Sequence, residues 1–193
     1  MGIKLTQHEK ELIIKNQKYI QNNDWDGFSD SFLFSLSSDD DEFAHIFQFC
    51  LECVPDLLYK ITYIPDSAFS NSDIKSINIP SNIKRIESGA FYYCIDLENA
   101  TIPDSVTQIE AWTFYGCASL KHISIPNSVT EIGDCAFAGC NSLKSVDIPD
   151  SVTKIGWHSF ECENLKRISI SKHLEGRDFL QDLPKDCKIE VRE

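Results

Sequence analysis

The residues best suited to chemistry in this sequence are cysteines and histidines. Cys50 and Cys53 form a Cys-x-x-Cys pair, and His45 lies shortly before them. Structural zinc sites usually take two ligand pairs, and Cys50 with Cys53 supplies only one of them, even with His45 nearby. No second pair follows, and Cys50 and Cys53 fall on the apolar face of a predicted helix. We therefore interpret them as core residues and predict no metal and no cofactor.

Motifs for catalysis are absent from the sequence. It contains no glycine-rich phosphate loop, no His-Glu-x-x-His and no Gly-x-Ser-x-Gly. The histidines are scattered without mutual spacing: His8, His45, His122, His158 and His173. We predict that the protein is not an enzyme, with a redox protein using Cys50 and Cys53 as the remaining enzymatic alternative.

Residues 79–170 repeat with a fixed period. An Ile-Pro step recurs every 23 residues, at Pro80, Pro103, Pro126 and Pro149. The units that begin at Pro103, Pro126 and Pro149 continue with Ser-Val-Thr, Phe, Cys and Leu-Lys in nearly constant register. A period of 20 to 50 residues predicts a solenoid, in which each unit buries its apolar side against its neighbours.

The spacing within each unit resembles that of leucine-rich repeats. Leu120-x-x-Ile123-x-Ile125 fits the Leu-x-x-Leu-x-Leu strand signature. An Ala-Phe-x-x-Cys segment replaces the usual helix, and serine fills the slot of the usual Asn or Cys at Ser105, Ser128 and Ser151. These features resemble the BspA-like subfamily, known mainly from surface and secreted proteins of bacteria and protozoa. The resemblance implies a repeat solenoid of the α/β class, with parallel β-strands and an irregular or short helical convex side.

The repeats suggest a division of the chain into two parts. We expect a leucine-rich repeat solenoid over residues 61–193, with full 23-residue repeats at about 80–170 and a C-terminal cap at about 171–193. The alternating segment Cys187–Val191 predicts a closing strand. Helical spacing of apolar residues before residue 61 predicts a small N-terminal α-helical cap over residues 1–60, which would cover the first coil.

Four cysteines follow the repeat: Cys94, Cys117, Cys140 and, after a one-residue deletion, Cys162. Equivalent positions in stacked coils lie about 5 Å apart, so disulfides are sterically open to them. In a reducing compartment, buried thiols acting as small apolar residues are the favoured interpretation.

The net charge is -12 and the sequence pI is near 4.8. Such acidity disfavours direct binding to nucleic acid or to anionic membranes, which require a basic surface. We find no apolar run of spanning length and no signal-peptide core, and we therefore expect a cytoplasmic protein. The start also matches the loose myristoylation pattern at Gly2, although Thr6 and Glu9 read equally as a helix-capping box.

Strand alternation predicts which residues face outward. One predicted strand face carries small polar and charged side chains beside a lysine stripe, and the opposite edge carries aromatics. The candidate partner-binding residues are His122, Ser124, Ser145, Asp147 and Arg167 on the strand face, Lys121, Lys144 and Lys166 in the stripe, and Trp112, Tyr115 and Trp157 on the opposite edge. We favour the strand face, because its outward positions vary without harming the solenoid.

These observations favour a non-enzymatic protein–protein interaction module. We expect its partner to be another protein and the chain itself to be a monomer. The alternative is an intracellular inhibitor, encoded by a phage or pathogen, that blocks a host defence enzyme such as a nuclease.

Overall fold

The computed structural model describes residues 62–193. Within this range the chain winds into a solenoid of parallel strands, and each full coil contributes a three-residue strand, a two-residue strand and a run of turns. The predicted N-terminal helical cap lies outside the described residues, as do Cys50, Cys53 and His45. Within residues 62–193, no helix has the length and apolar character that a membrane span requires.

The longer strands form one side of the solenoid, the strand face. They are β2 (Ser76–Asn78), β4 (Asn99–Thr101), β6 (His122–Ser124), β8 (Ser145–Asp147) and β10 (Arg167–Ser171). Parallel pairing joins β2, β4 and β6, and it joins β8 to β10. The central residue of each strand points inward because side chains alternate, so Ile77, Ala100 and Val146 are buried.

A second side of the solenoid is made of two-residue strands. They are β1 (Tyr63–Ile64), β3 (Arg85–Ile86), β5 (Gln108–Ile109), β7 (Glu131–Ile132) and β9 (Lys154–Ile155). The first two pair with each other and the last three form a sheet, all in parallel. Each presents one aliphatic side chain to the core and one polar side chain outward.

The third side, which we call the turn side, comprises residues 65–73, 87–96, 110–119, 133–142 and 156–164. It is irregular, as the family resemblance implied, and the 3₁₀ helices of the described range lie after it, in the C-terminal segment. Backbone hydrogen bonds nevertheless join successive coils here: Phe91 N–H donates to Thr113 O at 2.8 Å and Phe114 N–H to Ala136 O at 2.8 Å. The turns are therefore held as firmly to their neighbours as strands are.

A column of phenylalanine rings fills the core beneath the turn side. The rings of Phe69, Phe91, Phe114, Phe137 and Phe160 are fully buried. Neighbouring centroids are 5.0 to 5.4 Å apart and neighbouring planes are within 16° of parallel. One ring per coil thus continues the hydrophobic contact from coil to coil, and each buried ring contributes roughly 1.5–3 kcal/mol of transfer free energy.

Two polar ladders run beside the phenylalanines. Each repeat serine donates its hydroxyl hydrogen to a backbone carbonyl of the preceding coil, as Ser128 Oγ does to Val106 O and Ser151 Oγ to Val129 O, both at 2.7 Å. Ser105 Oγ makes the same bond to Ile83 O. Serine in the slot usually held by Asn or Cys therefore still satisfies a buried carbonyl between coils.

The repeat cysteines form the second ladder. Each thiol donates to the carbonyl of the phenylalanine one coil earlier, with Cys117 Sγ 3.1 Å from Phe91 O and Cys140 Sγ 3.2 Å from Phe114 O. All four are free thiols and buried, as the repeat register predicted. Burial raises the pKa of Cys94 to about 12 and that of Cys117 well above its usual range. The Cys94 and Cys117 thiols therefore stay protonated at neutral pH and are weak nucleophiles.

We expect a native thiol assay to separate two groups of cysteines. Cys94, Cys117, Cys140 and Cys162 should react only after denaturation, whereas the half-buried Cys135 and Cys187 should react in native buffer. Alkylation with isotopically light iodoacetamide before denaturation, and heavy reagent after it, followed by peptide mass spectrometry, measures this directly. Light label on the four repeat cysteines within minutes would contradict the buried ladder.

The last strand closes the solenoid. Strand β11 (Lys188–Arg192) pairs in parallel with β10 along five residues, which confirms the predicted closing strand. Arg192 fastens it, since its guanidinium donates to Ser169 Oγ at 2.6 Å and pairs with Asp150 at 2.8 Å. Between these strands lie two short 3₁₀ helices, Lys172–Leu174 and Asp178–Asp182. The second places Phe179 against the last ring of the phenylalanine column, 6.4 Å from Phe160 and tilted by 60°.

Candidate functional site

The strand face has the row arrangement that the alternation predicted. His122 lies opposite Asn99, and Ser124 lies opposite Thr101. In the next sheet Arg167 lies opposite Ser145, and Asp147 lies opposite Ser169. The predicted strand-face residues therefore do form two rows across neighbouring coils, and His122 and Ser124 are exposed.

Charges at the C-terminal end of this face are paired within the protein. Arg167 Nη1 lies 2.8 Å from Asp147 Oδ1 and 3.2 Å from Glu190 Oε2, and Lys188 also reaches Glu190 at 2.7 Å. The hydrogen bond to Asp147 raises the pKa of the Arg167 guanidinium, and the bonds from Lys188 and Arg167 lower the pKa of Glu190. Arg167, a candidate anchor from the sequence, would have to exchange these partners to bind another protein.

The lysine stripe is also partly neutralised. Lys121 Nζ lies 2.6 Å from Glu98 and Lys166 Nζ lies 2.5 Å from Asp186. Those hydrogen bonds lower the pKa of both carboxyl groups. Lys144, between them, is exposed and makes no ion pair with any residue in the range 62–193. The stripe therefore offers an acidic partner less free positive charge than its sequence suggests.

The turn side carries large exposed aromatic side chains. Trp157 is 71% exposed, Trp112 is 48% exposed and Tyr93 is 42% exposed. Tyr93 belongs to a cluster with Tyr92 and Tyr115: the rings of Tyr92 and Tyr115 stack at 5.2 Å, and Tyr93 stands edge-on to both, at 4.8 and 5.5 Å. The tryptophans are therefore not core residues, and the tyrosines hold each other in place across two coils. We call Tyr92, Tyr93, Trp112, Tyr115 and Trp157 the aromatic surface.

Several of these residues have a backbone conformation that favours glycine. Trp112 has φ 56° and Tyr93 has φ 54°. The equivalent positions of neighbouring coils hold Gly89 before Trp112, Cys135 after it, and Gly116 after Tyr93. A left-handed conformation costs a side chain with a Cβ about 1 kcal/mol. The sequence thus places bulky aromatics at positions where backbone energetics alone would select glycine.

The last full coil of the turn side is anchored by acidic side chains. Trp157 N–H donates to Asp134 Oδ1 at 2.8 Å, and His158 N–H donates to Asp182 Oδ2 at 2.9 Å. The His158 ring also lies 3.4 Å from carboxylate oxygens of both Glu161 and Asp182. The Asp182 carboxylate therefore accepts the hydrogen bond from His158 N–H that a further coil would accept. The Asp134 carboxylate holds the backbone of Trp157 in place.

Cys135 and His158 occupy equivalent positions of adjacent coils, and Asp182 lies beyond His158. The order Cys, His, Asp resembles that of a catalytic triad, in which the three residues act as nucleophile, base and acid. Burial raises the pKa of the Cys135 thiol, and a hydrogen bond with Trp112 lowers it by less. The negative charges of Asp134, Glu161 and Asp182 also raise it. A nucleophilic cysteine needs the opposite shift, toward the thiolate. This arrangement therefore supports no thiol catalysis.

Sites for metals and small molecules are not evident in the described part of the chain. Among residues 62–193, no group of three or more His, Cys, Asp or Glu side chains has an arrangement that could hold a metal ion. A cavity beside Trp157, between Lys154 and Arg177, encloses about 160 Å³, and one beside Arg192, lined by Asn127 and Asp150, encloses about 280 Å³. Drug-sized ligands typically occupy roughly 300–1,000 Å³, so both cavities are small for such a site.

These features define the class of the protein: a parallel β-solenoid with leucine-rich coils and an exposed aromatic surface. The sequence matches the BspA type leucine rich repeat region over residues 14–98 and 62–180, with six copies. The chain belongs to this family of leucine-rich repeat proteins. The resemblance seen in the sequence is thereby confirmed.

Solved structures with the same fold come from several bacteria. The leucine-rich repeat protein TpLRR of T. pallidum is 25% identical, with a TM-score of 0.55, over 68% of this chain and 66% of that one. A leucine-rich repeat protein from Bacteroides ovatus is 25% identical, with a TM-score of 0.50, over 70% of this chain and 46% of that one. The pneumococcal vaccine antigen PcpA is 24% identical, with a TM-score of 0.60, over 70% of this chain and 35% of that one.

In each of these three comparisons this chain spans less than two thirds of the other protein's length. A search of curated proteins found no match.

Proposed function

We propose that this chain is a protein-binding module that holds a partner against the outer surface of its solenoid. The observation that carries the proposal is the aromatic surface, where Tyr93, Trp112 and Trp157 are exposed on turns that are hydrogen-bonded from coil to coil. Exposed aromatic side chains are the commonest energetic anchors of protein interfaces. Because the turns are held in place, little conformational entropy would be lost on binding.

Energetics within the fold support the same proposal. Replacing Trp112 or Tyr93 by glycine would relieve about 1 kcal/mol of backbone strain at each position. Backbone conformation therefore gives no reason for these aromatics, whereas contact with a partner does. The family is consistent with this role, since stacked repeats form extended surfaces suited to recognition.

Two doubly substituted variants test the proposal and separate the two faces. The aromatic variant carries Trp112→Ala and Trp157→Ala. The strand-face variant carries His122→Glu and Lys144→Glu. Arg167 is left unchanged, because a glutamate there would lie beside Asp147 and Glu190 and the three carboxylates would repel each other. Each protein, checked by thermal melting, is immobilised and exposed to extract from cells that produce the chain, and retained proteins are quantified by mass spectrometry.

We expect a protein that wild type and the strand-face variant retain and that the aromatic variant loses. If only the strand-face variant fails to retain a protein, the protein-binding function is supported and the interface is the strand face, as the sequence analysis favoured. Identical retention by all three proteins would show that neither face binds, and the proposed function would be wrong. A nuclease or other defence enzyme as the lost protein would favour the inhibitor interpretation.

A further inference from the structure

The charges of the described residues are segregated by side. None of the five turn-side segments contains a Lys or an Arg; every Lys and Arg of residues 62–193 lies on the strand sides, in the loops beside them or in the C-terminal segment. The same five segments carry acidic side chains in every coil: Asp66, Asp73, Glu87, Asp96, Glu110, Asp134, Glu161 and Glu163. One side of the solenoid is thus acidic throughout, although the protein as a whole carries both signs.

Few cations compensate this acidity within the described residues. Arg85, from the neighbouring short strand β3, pairs with Glu87 at 2.6 Å. Glu110 lies on the same side, and burial together with the charges of Glu87 and Glu131 raises the pKa of its carboxyl group, with Arg85 opposing. Burial is the larger cause of this shift, and the smaller part, from Glu87 and Glu131, is repulsion between carboxylates, which an added cation would relieve.

The aromatic surface lies within this acidic side. Trp112 is followed in the next coils by Asp134 and Glu161, and Tyr93 is followed along the chain by Asp96. The face of an aromatic ring attracts a cation, and tryptophan attracts one most strongly. Aromatic faces and carboxylates on one surface therefore favour the same ligand, a cationic group that is planar and has an apolar face. A guanidinium has both properties, whereas the ammonium of lysine is a compact, strongly hydrated point charge.

The dimensions of the surface suit an extended chain. Tyr93, Trp112 and Trp157 belong to four consecutive coils, and with coils about 4.8 Å apart the surface is about 14 Å long. An extended polypeptide covers that length with four to five residues. Alternate side chains of such a segment point to the same side, so two or three of them face the surface.

We propose that the turn side binds an arginine-rich segment of a partner protein, with guanidinium groups stacked on Tyr93, Trp112 and Trp157 and paired with the surrounding carboxylates. This inference rests on the proposed protein-binding function and specifies the chemistry of the partner. An acidic partner on the lysine stripe is less favoured, because that stripe is partly neutralised by Glu98 and Asp186.

The probes are three fluorescein-labelled eight-residue peptides that alternate serine with arginine, with lysine or with glutamate. Fluorescence anisotropy with the full chain at about 150 mM salt, where the Debye length is about 8 Å, limits long-range attraction between opposite charges. We expect binding in the order arginine, then lysine at several-fold lower affinity, then no binding of the glutamate peptide. Equal affinity for the arginine and lysine peptides would contradict stacking on the aromatic rings.

Matched variants separate local recognition from general attraction to an acidic protein. The aromatic variant, Trp112→Ala with Trp157→Ala, keeps the net charge and should lose about tenfold in affinity for the arginine peptide. Asp96→Asn with Glu163→Gln, both on the turn side, should weaken binding several-fold. The control is Asp104→Asn with Glu175→Gln, two exposed acids outside the turn side with the same charge change, and it should leave the affinity unchanged.

Equal weakening by the two charge variants, together with full binding by the aromatic variant, would reduce the interaction to general attraction and overturn the inference. If instead the aromatic variant loses a protein from extract but wild type binds none of the peptides, the proposed function stands and the arginine-rich partner is wrong. If wild type, the aromatic variant and the strand-face variant all retain the same proteins from extract, the proposed function itself is wrong.

Discussion

Phe114→Ala is expected to lower the free energy of unfolding by about 3–5 kcal/mol. Phe114 is fully buried and stacked between Phe91 and Phe137, with centroids 5.1 and 5.4 Å away, so truncation removes two ring contacts and leaves a cavity in the middle of the column. Cooperation between coils makes the loss larger than a terminal position would give, since every coil is stabilised by its neighbours. Urea denaturation followed by circular dichroism measures it.

Two control variants test whether the stack is responsible. Phe114→Leu retains most of the volume and should cost less than half as much as the alanine substitution. Trp157→Ala removes an aromatic ring that is 71% exposed and should change stability little. A Phe114→Ala loss below about 1 kcal/mol, the typical cost of an ordinary substitution, would show that the column is not the main support of the coils.

The sequence predicted the strand face well because every coil repeats the same pattern. With the period of 23 known, the alignment of Ser76, Asn99 and His122 follows from equal positions in successive units, and the structure has that register. The buried cysteine ladder follows from the same reasoning, since Cys94, Cys117 and Cys140 occupy one position of the repeat. A periodic sequence therefore reveals neighbours that are distant along the chain.

Other features depend on interactions that periodicity does not contain. Strands such as Gln108–Ile109 are two residues long, too short for an alternating pattern to reveal them. The pairing of Arg167 with Glu190 requires β11 to lie beside β10, a contact made only by the closing strand. The exposure of Trp112 and Trp157 follows from the conformation of the turns, which the repeat pattern does not determine.

Gly133 shows how closely the turns of successive coils approach. A Cβ at this position would lie 2.5 Å from Ala111 N, 2.7 Å from Glu110 C and 2.9 Å from Ala111 Cα. All three are backbone atoms, so no side-chain rotation can relieve the clash. We expect Gly133→Ala to destabilise the protein by about 3 kcal/mol, at the upper end of the usual cost of inserting a methyl group into a packed site.

Gly176→Ala is the matched control for this prediction. Gly176 has φ 74° and no heavy atom within 4 Å of its added Cβ, so the substitution tests backbone conformation without a clash and should cost about 1 kcal/mol. Gly133→Ala should also weaken partner binding, because the hydrogen bond from Trp112 N–H to Asp134 O at 2.9 Å depends on the same close approach. Thermal melting and the anisotropy assay together check both effects. Equal destabilisation by the two glycine substitutions would mean that the turns can separate without loss, and that the aromatic surface is not rigidly positioned.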